Sequence, residues 1–369
     1  MSARLILMAR RLRDEWLLGL LLALFPVMLW QVPTDPAAVA ALVDWKTIAA
    51  LAGLLVLSRG LETSGLIERA GRAVIVRLRS ERRLAVALVL GAAVLSAVVT
   101  NDVALFVTVP LTLALSRLVV LPTGRLVIFQ ALAVNAGSAV SPVGNPQNLF
   151  LWQLSGVGFG EFLLAMLPLA AAMMAILLAL VPLAFGSRPI VAARLAPGQA
   201  LQPRLMAVSL VAYPLFLLLV NAGLAVPAAG AVIALYLIAF RTVLRWVDWP
   251  LLLVFILMFV NLGLLGQLPA IAAAVPKALA LGGGYGVGAG LSQGMSNVPA
   301  AVFLAPFTED WRALAWGVSV GGFGLAIGSL ANLIALRLAR APGLWRAFHL
   351  WSLPMFALSF VAGMILIGP

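Results

Sequence analysis

The chain of 369 residues is 64% hydrophobic and only 10% charged, with a mean hydropathy of +1.13. Soluble domains carry roughly a quarter charged residues, so this composition excludes an ordinary soluble protein and predicts a polytopic membrane protein. The sequence has no cysteine, which excludes disulfides and thiolate metal sites. The net charge of +12 is explained by basic loops on one side of a membrane, so no nucleic-acid partner is expected.

Long apolar runs predict the membrane crossings. A run of about twenty apolar residues can span the hydrocarbon layer as a helix. The predicted crossings are 16–32, 43–65, 125–153, 160–186, 205–222, 225–241, 248–268, 311–337 and 349–368. Two further stretches, 84–121 and 270–307, have a polar or glycine-rich interruption near the middle, and we interpret them as re-entrant hairpins.

The basic residues support this interpretation. If both hairpins return to the side on which they begin, nearly all basic residues fall on one side of the membrane, and the exceptions are Lys46, Lys277 and Arg312. Cytoplasmic loops are enriched in lysine and arginine. The N-terminus is therefore expected in the cytoplasm and the C-terminus outside, in a bacterial inner membrane.

Three segments recur in the same order along the chain. The pairs are "DWKTIAALAGLLVLSRGLETSGL" from Asp44 and "DWPLLLVFILMFVNLGLLGQLP" from Asp248, "VVTNDVALFVTVPL" and "GMSNVPAAVFLAPF", and "GNPQNL" at 144–149 and "GSLANL" at 328–333. In the topology above, Asp44 and Asp248 begin their helices on opposite sides of the membrane. The sequence therefore predicts inverted repeats, an architecture typical of secondary transporters.

The segment "SPVGNPQNLF" at 141–150 interrupts one predicted crossing. A residue before proline avoids the α conformation, so Ser141 and Asn145 are expected to be non-helical. A broken backbone in lipid leaves polar groups unpaired, and it persists only inside protein or beside a water-filled cavity. We predict that Asn145, Gln147 and Asn148 either bind a solute or support the break by hydrogen bonds. An ordinary proline kink is the alternative.

Asp102 is the strongest single candidate for a residue that binds an ion or a proton. A carboxylate at the bilayer centre costs about 2.5–3.5 kcal/mol on insertion scales and usually marks an ion or proton path. It follows Thr100 and Asn101 at the tip of the first hairpin, whereas the second tip reads "SNV" at 296–298. Coupling through a carboxylate would therefore be asymmetric. The alternative is a structural acid that caps the second hairpin arm.

Other polar residues are expected to have structural roles. Glu62 and Arg59 are spaced to form an i, i+3 ion pair near a helix end. Ser292 and Gln293 are interpreted as hairpin packing. His349 is placed at the start of the last helix, at the membrane interface and away from any serine that it could activate.

The segments "TNDVALFVTVP", "NAGSAVSPVGNPQNL", "SNVPA" and "GSLANL", with "DWKTI" and "GLETSG" upstream, resemble the ion transporter superfamily, in particular its arsenite/antimonite permease-like branch of small anion permeases. The resemblance covers nearly the whole chain. It implies a homodimer in the bilayer and an elevator motion of a transport domain against a scaffold. The solute site that it implies consists of Thr100, Asn101, Asp102, Asn135, Ser141, Gly144, Asn145 and Asn148 in one half, and Ser296, Asn297, Gly328, Ser329 and Asn332 in the other.

The chain departs from the sodium–dicarboxylate relatives, which carry Ser-Asn-Thr at both hairpin tips. Here the tips read Thr-Asn-Asp and Ser-Asn-Val. An acid at the tip suits proton coupling better than sodium–dicarboxylate symport. No arginine falls in the predicted site, so a neutral hydroxide such as arsenite fits it more easily than a fully charged anion.

The sequence thus predicts an all-α polytopic membrane protein with inverted structural repeats, two re-entrant helical hairpins and two broken transmembrane helices. Residues 1–83 and 187–269 are expected to supply the scaffold helices of the two repeats. Residues 84–186 and 270–369 are expected to supply the two halves of the transport domain.

The predicted function is secondary active transport of a small inorganic oxyanion or metalloid hydroxide, proton-coupled and elevator-type. A sodium-coupled, dicarboxylate-like transporter or a sodium/proton antiporter stays open, with Asn101, Asp102 and Asn145 as sodium ligands. A passive channel stays open too. An intramembrane hydrolase would need a second acid or an activated serine at the same depth, so no enzyme is expected. No cofactor is expected beyond the coupling ion.

Overall fold

A computed structural model describes residues 16–66, 69, 80–116, 121–189, 200–339 and 343–368. Within these ranges the chain is helical, and the strand-like pairing is limited to an isolated bridge between Ser80 and Pro189. The prediction of an all-α protein is therefore confirmed. The N-terminal residues, on which part of the predicted topology rests, lie outside the described ranges.

The helices follow one another with short connections. In chain order they are α1 (Trp16–Gln31), α2 (Pro36–Ala41), α3 (Trp45–Thr63), α4 (Glu81–Val98), α5 (Asn101–Ser116), α6 (Thr123–Ser138), α7 (Pro146–Ser155), α8 (Phe159–Ala184), α9 (Pro203–Asn221), α10 (Ala225–Ala239), α11 (Arg241–Leu244), α12 (Trp249–Gln267), α13 (Pro269–Met295), α14 (Asn297–Leu304), α15 (Trp311–Gly321), α16 (Leu330–Ala339) and α17 (Leu344–Ile367). Two 3-10 helices are Ala305–Phe307 and Ala326–Gly328.

The apolar runs of the sequence coincide with these helices. Among the described residues, α8, α9, α12, α13 and α17 are long and apolar enough to cross a membrane, but α13 is kinked at Gly283, where φ is 62° and ψ is 174°. The crossing predicted at 125–153 is divided into α6 and α7, and the crossing at 311–337 into α15 and α16. The last helix begins at Leu344 rather than 349, so His349 lies inside it.

The dipeptide Asp-Trp begins a helix in the same way twice. Asp44 accepts hydrogen bonds from backbone amides in the first turn of α3, and Asp248 does so in the first turn of α12. The indole of Trp45 then donates to a carbonyl oxygen five residues earlier at 3.1 Å, and the indole of Trp249 makes the equivalent bond at 2.8 Å. The caps and the indole bonds together tie the short helices α2 and α11 to the long helices that follow.

Two helix pairs, α4–α6 and α13–α15, approach each other at backbone distance. A Cβ atom at Gly137 in α6 would lie 2.2 Å from the carbonyl oxygen of Ala93 in α4, and one at Gly317 in α15 would lie 2.2 Å from that of Tyr285 in α13. Only glycine allows this approach, as in many helix pairs in membranes. These contacts fix the first arm of each interrupted stretch against the broken helix that follows it.

Helices from the two halves of the sequence pack crosswise. α3 packs against α10, and α1 packs against α12. α3 also contacts α5 and α7, while α12 contacts α13 and α14. The interrupted stretches and the broken helices therefore meet between these outer helices, where most of the buried polar residues lie.

Candidate functional site

The first break lies between α6 and α7 and is closed by two asparagines. Asn148 donates from Nδ2 to the carbonyl oxygens of Ser138, Ala139 and Ser141 at 3.4, 3.0 and 3.2 Å. Asn145 accepts from the backbone N of Asn148 at 2.8 Å and donates from Nδ2 to Ser138 Oγ at 3.1 Å. The polar backbone groups of the break are thus paired inside the protein, as a break surrounded by lipid requires.

The tip between α4 and α5 is bonded to this break. The backbone N of Asn101 donates to the carbonyl oxygen of Gly144 at 2.8 Å. In return, Ser141 Oγ donates to the carbonyl oxygen of Ala97 at 2.6 Å. The tip of the first interrupted stretch therefore lies beside the break between α6 and α7.

Asp102 lies half-buried in the first turn of α5. The cap of α5 is made by its neighbours, since Thr100 Oγ1 accepts from the backbone N of Val103 at 3.5 Å and Asn101 Oδ1 accepts from the backbone N of Asp102 at 3.0 Å. Within the described ranges, the carboxylate of Asp102 has no hydrogen bond and no ion pair. The alternative that this carboxylate caps the helix is therefore wrong, and its charge remains available for another partner.

The second break lies between α15 and α16 and is held by Gln293, one turn before the second tip. Gln293 donates from Nε2 to the carbonyl oxygens of Gly321 and Phe323 at 2.9 and 3.2 Å, and its Oε1 accepts from the backbone N of Leu325 at 2.8 Å. Gly324 has a φ of 83° and passes so close to Gln293 that a Cβ atom would collide with it. The prediction that Gln293 serves only hairpin packing is wrong.

The second tip carries the one non-glycine residue with positive φ in the described ranges. Ser296 has φ 77° and ψ 156°, a region that is essentially restricted to glycine. Its neighbour Asn297 approaches the second break, because a Cβ atom at Gly322 would lie 3.2 Å from Asn297 Nδ2. The same Cβ atom would lie 3.6 Å from Asn135 Cγ, so the second tip, the second break and α6 meet at Gly322.

Asn135 in α6 joins the two breaks. It donates from Nδ2 to Asn332 Oδ1 at 2.8 Å, and its Oδ1 accepts from Ser329 Oγ at 3.0 Å. Asn332 in turn donates to the carbonyl oxygen of Gly322 at 2.9 Å. On the other side, Ser138 Oγ donates to the carbonyl oxygen of Asn135 at 3.4 Å, which connects to the first break. One continuous hydrogen-bond network therefore runs through both breaks.

Every residue of the predicted site lies at the two tips, in or beside the two breaks, or on α6 between them. Gly144 and Gly328 are required by close backbone approaches, since a Cβ atom would lie 2.3 Å from the carbonyl oxygen of Ser138 and 2.5 Å from that of Gly321, respectively. Sequence reasoning missed Ser138 and Gln293. Both are polar residues within one helical turn of a predicted break or tip, and this position could have indicated them as site residues.

Three buried oxygen atoms near the network have no hydrogen-bond partner among the described residues. They are Gln147 Oε1, Asn148 Oδ1 and Ser319 Oγ. The side-chain amide nitrogens of Asn135, Asn145, Asn148 and Asn332 already donate within the protein, whereas those of Asn101 and Asn297 at the two tips make no hydrogen bond within the described ranges. Together with the carboxylate of Asp102, the unused groups therefore include both acceptors and amide donors, which suit a solute whose hydroxyl groups donate and accept hydrogen bonds.

Other features lie outside this network. Arg59 and Glu62 form the predicted ion pair at 2.7 Å. A cavity of about 400 Å³ lies between the starts of α6 and α17, beside Arg125 and Trp351, and the breaks are at the other end of α6. The described residues include no cluster of three or more histidines and acids that could hold a metal ion.

The fold is shared with a solved transporter. The YdaH transporter of Alcanivorax borkumensis, whose crystal structure is described as having an unusual topology, superposes with a TM-score of 0.58. The match covers 96% of this chain and 97% of that one at 15% sequence identity. At this identity the likeness concerns the fold alone.

Sequence relatives are transporters and membrane proteins. Inner membrane protein YbiR of Escherichia coli is 44% identical over 354 residues, 91% of each chain. The uncharacterized transporter MJ0456 of Methanocaldococcus jannaschii is 31% identical over 333 residues, 87% of each chain. A putative transporter arsB of Dictyostelium discoideum is 25% identical over 128 residues, 35% of this chain and 23% of that one.

These relatives identify a multi-pass membrane transporter and decide against an enzyme, including the intramembrane hydrolase. The assignment to the arsenite/antimonite permease-like branch stays a prediction, since the arsB match is partial. The family model described as citrate transporter matches residues 5–321. The chain therefore belongs to the CitMHS citrate transporter family.

Proposed function

We propose that this protein is a secondary active transporter of a small inorganic oxyanion or metalloid hydroxide, arsenite- or antimonite-like, coupled to protons. The observation that carries the proposal is the Asn135 bridge, which joins both breaks and leaves acceptor atoms unused around it. Discontinuous helices that meet at one polar locus are the usual place for a transporter's solute. The predicted site residues would bind the solute there.

Inverted repeats are part of this proposal. The equivalent indole bonds of Trp45 and Trp249, the two glycine approaches and the crosswise packing of α3 with α10 and α1 with α12 all support it. The re-entrant character of the hairpins is supported by the bonds of Asn101 and Gln293, since each reaches a break that interrupts a crossing partway.

The unused hydrogen-bonding groups of the site limit which solutes it can bind. No arginine or lysine bonds to a residue of the network within the described ranges, so a bare multivalent anion would have no cationic partner there. A neutral hydroxide donates hydrogen bonds from its own O–H groups and fits the acceptors Gln147 Oε1 and Asn148 Oδ1. This chemistry favours a metalloid hydroxide.

Asp102 would carry the coupling proton. Its carboxylate is half-buried and unpaired in the described structure, which makes a protonated or ion-bound state favourable when the site is closed. Sodium held by oxygens of Asn101, Asp102 and Asn145 is the other form of coupling. Proton coupling is preferred because the second tip offers no matching carboxylate or threonine at Val298.

A carboxylate solute is the second candidate function. It is favoured by the family description, which names citrate. Such a solute would enter with sodium or another cation, because the network supplies no positive charge of its own. Sodium/proton antiport without an organic solute belongs to the same alternative, and an uncoupled channel is a separate one.

The motion is proposed to be of the elevator type. The helices α1, α3, α9, α10 and α12 would form the scaffold of a homodimer, and α4–α8 with α13–α17 would move as the transport domain. Residence in a bacterial inner membrane is supported by the relative YbiR, an inner membrane protein. The distribution of basic residues supports an N-terminus inside and a C-terminus outside.

The test is uptake of arsenite and antimonite into everted membrane vesicles that are shown to contain the folded protein. Uptake driven by an imposed proton gradient and abolished by a protonophore is expected. Uptake of citrate or a dicarboxylate that requires sodium would instead establish the second candidate. Flux of either solute that responds to no ion gradient would identify a channel.

A further inference from the structure

The second break is held by α17 as well as by Gln293. The backbone N of Ala326 donates to His349 Nε2 at 3.2 Å, and His349 Nδ1 lies 2.8 Å from the carbonyl oxygen of Trp345. One turn further along α17, Ser352 Oγ donates to the carbonyl oxygen of Gly324 at 2.6 Å, and the backbone N of Gly324 donates back to Ser352 at 3.3 Å. The histidine therefore lies in a row of contacts that brace the break.

The two hydrogen-bond partners of His349 are compatible with only one protonation state of the imidazole. A carbonyl oxygen can only accept, so Nδ1 must carry the hydrogen atom that faces Trp345. A backbone N–H can only donate, so Nε2 must present its lone pair to Ala326. Both bonds are made by the neutral imidazole with the proton on Nδ1. In the imidazolium form, two N–H groups would face each other at Ala326, and that bond would be lost.

The braced segment leads directly into the network. Ala326 begins the 3-10 helix Ala326–Gly328, and the next residue is Ser329, whose Oγ donates to Asn135. The first break, closed by Asn148, has no comparable partner, because His349 is the single histidine of the sequence. A change in the charge of His349 therefore acts on one half of the network alone.

The charged surroundings do not offer the imidazolium a partner at this position. The charged side chains on the elements in contact with α17 are Arg125 on α6, Glu161 on α8, Lys277 on α13 and Arg312 on α15, with Arg346 on α17 itself. The acid of this set, Glu161, lies in the first turn of α8. It is the far end of α8 that approaches the start of α17, where Phe129 contacts both Phe185 and Trp351.

We propose that His349 is a pH-sensitive positioning residue for the solute site. Its neutral imidazole fixes the 3-10 helix that directly precedes Ser329, and protonation releases this helix and weakens solute binding. The role in solute binding rests on the proposed transport function. The release of the segment does not, and it is measured without any solute.

The experiment is hydrogen–deuterium exchange of the purified protein at several pH values between about 5 and 8, the range in which histidines change charge. Exchange rates are corrected for the intrinsic pH dependence of amide exchange. In the wild-type protein, the peptide covering 322–329 should exchange about two- to tenfold faster at the acidic end, the size expected for one lost hydrogen bond. The peptide covering 139–145 serves as the internal control and should not respond.

Two variants sharpen the test. His349→Gln keeps a neutral acceptor and should show slow exchange of 322–329 at every pH. His349→Lys carries a permanent charge and should show fast exchange at every pH. A wild-type profile without pH dependence, or a His349→Gln profile equal to that of the wild type, would overturn the proposal. If His349→Gln does not fold, the proposal is still tested in the wild-type protein by comparing the pH dependence of exchange in the peptides 322–329 and 139–145.

A transport assay distinguishes failure of the proposed role of His349 from failure of the proposed transport function. With a confirmed solute, the KM should rise more steeply at acidic pH in the wild type than in His349→Gln, where only the coupling proton contributes. If no solute is transported, the exchange experiment remains valid. A confirmed solute whose KM shows the same pH dependence in both proteins would exclude the effect on binding.

Discussion

Asn135 donates from Nδ2 to Asn332 Oδ1 at 2.8 Å, although the two residues are 197 positions apart in the chain. Both side chains are buried, with 4% and 0% of their surfaces exposed. The bond joins a continuous helix segment to the start of the helix that follows the second break. If the second break moves relative to α6, the hydrogen bond between Asn135 and Asn332 is therefore lost. It is kept only if α6 moves together with the second break.

Asn135→Ala should lower both stability and transport. It leaves the amide of Asn332 and the hydroxyl of Ser329 without their partner, which costs about 1–3 kcal/mol per buried group in soluble proteins and about 0.6 kcal/mol per bond in membranes. Unfolding in detergent and uptake per folded molecule are the measurements. Asn261→Ala is the matched control, because Asn261 is a buried amide on α12 that donates to Leu21 and Leu257 outside the network. It should destabilise without a loss of uptake. Equal uptake by both variants would contradict a role of Asn135 in the site.

Asp102→Asn should uncouple transport from the proton gradient. The substitution keeps the shape of the side chain and removes the group that takes up the proton, so gradient-driven accumulation should be lost while solute binding is kept within about tenfold. Accumulation in vesicles and equilibrium binding are measured side by side. The control is Asp310→Asn, an exposed acid that caps α15 through the backbone N of Ala313. Accumulation by Asp102→Asn that still collapses with a protonophore would rule out Asp102 as the proton carrier.

Ser296→Gly and Ser296→Ala should differ in stability. The backbone of Ser296 occupies a region that costs a non-glycine residue about 1–3 kcal/mol, and glycine removes this cost. The glycine variant should therefore unfold at a higher temperature than the wild type, whereas the alanine variant should not. Both lack the hydroxyl, so a shared loss of transport would be due to that group. A lower unfolding temperature for the glycine variant would mean that the backbone is not strained.

Gly137→Ala should separate α4 from α6. The added methyl group would overlap the backbone of Ala93, which cannot move aside as a flexible side chain could. We expect a loss of at least about 1–3 kcal/mol, the usual range for overpacking. Gly91→Ala on α4 is the control, because no atom lies within 4 Å of the position of its Cβ. Folded yield and thermal unfolding in detergent distinguish the two. Equal behaviour would show that the helices are not in backbone contact.

The sequence was informative where a single segment determines its own structure. Apolar runs located the long helices, Asp44 and Asp248 located two helix starts, and the prolines around Asn145 located the first break. The short helix α2 was missed although its signal was present, since Asp35 before Pro36 is a strong helix start. In these places the cause lies within a few residues of its effect.

The sequence was not informative where the cause lies elsewhere in the chain. A buried amide must find a partner, but its identity depends on which helices pack together. Nothing near Asn135 indicates Asn332, and nothing near Gln293 indicates the carbonyl of Gly321. His349 was placed at a helix start because the apolar run begins there, whereas the helix begins earlier, with Leu344 and Trp345. Its contact with Ala326 followed from packing alone.

The crosswise packing of α3 with α10 and of α1 with α12 also governs how the protein is made. When α8 leaves the ribosome, α1 and α3 already lie in the bilayer, and the helices that will cover them have not been synthesised. Pairs so far apart in the chain close late, as non-local contacts generally do. A nascent chain halted after α8 therefore lacks α10 and α12, and this crosswise packing forms only after α12 has inserted.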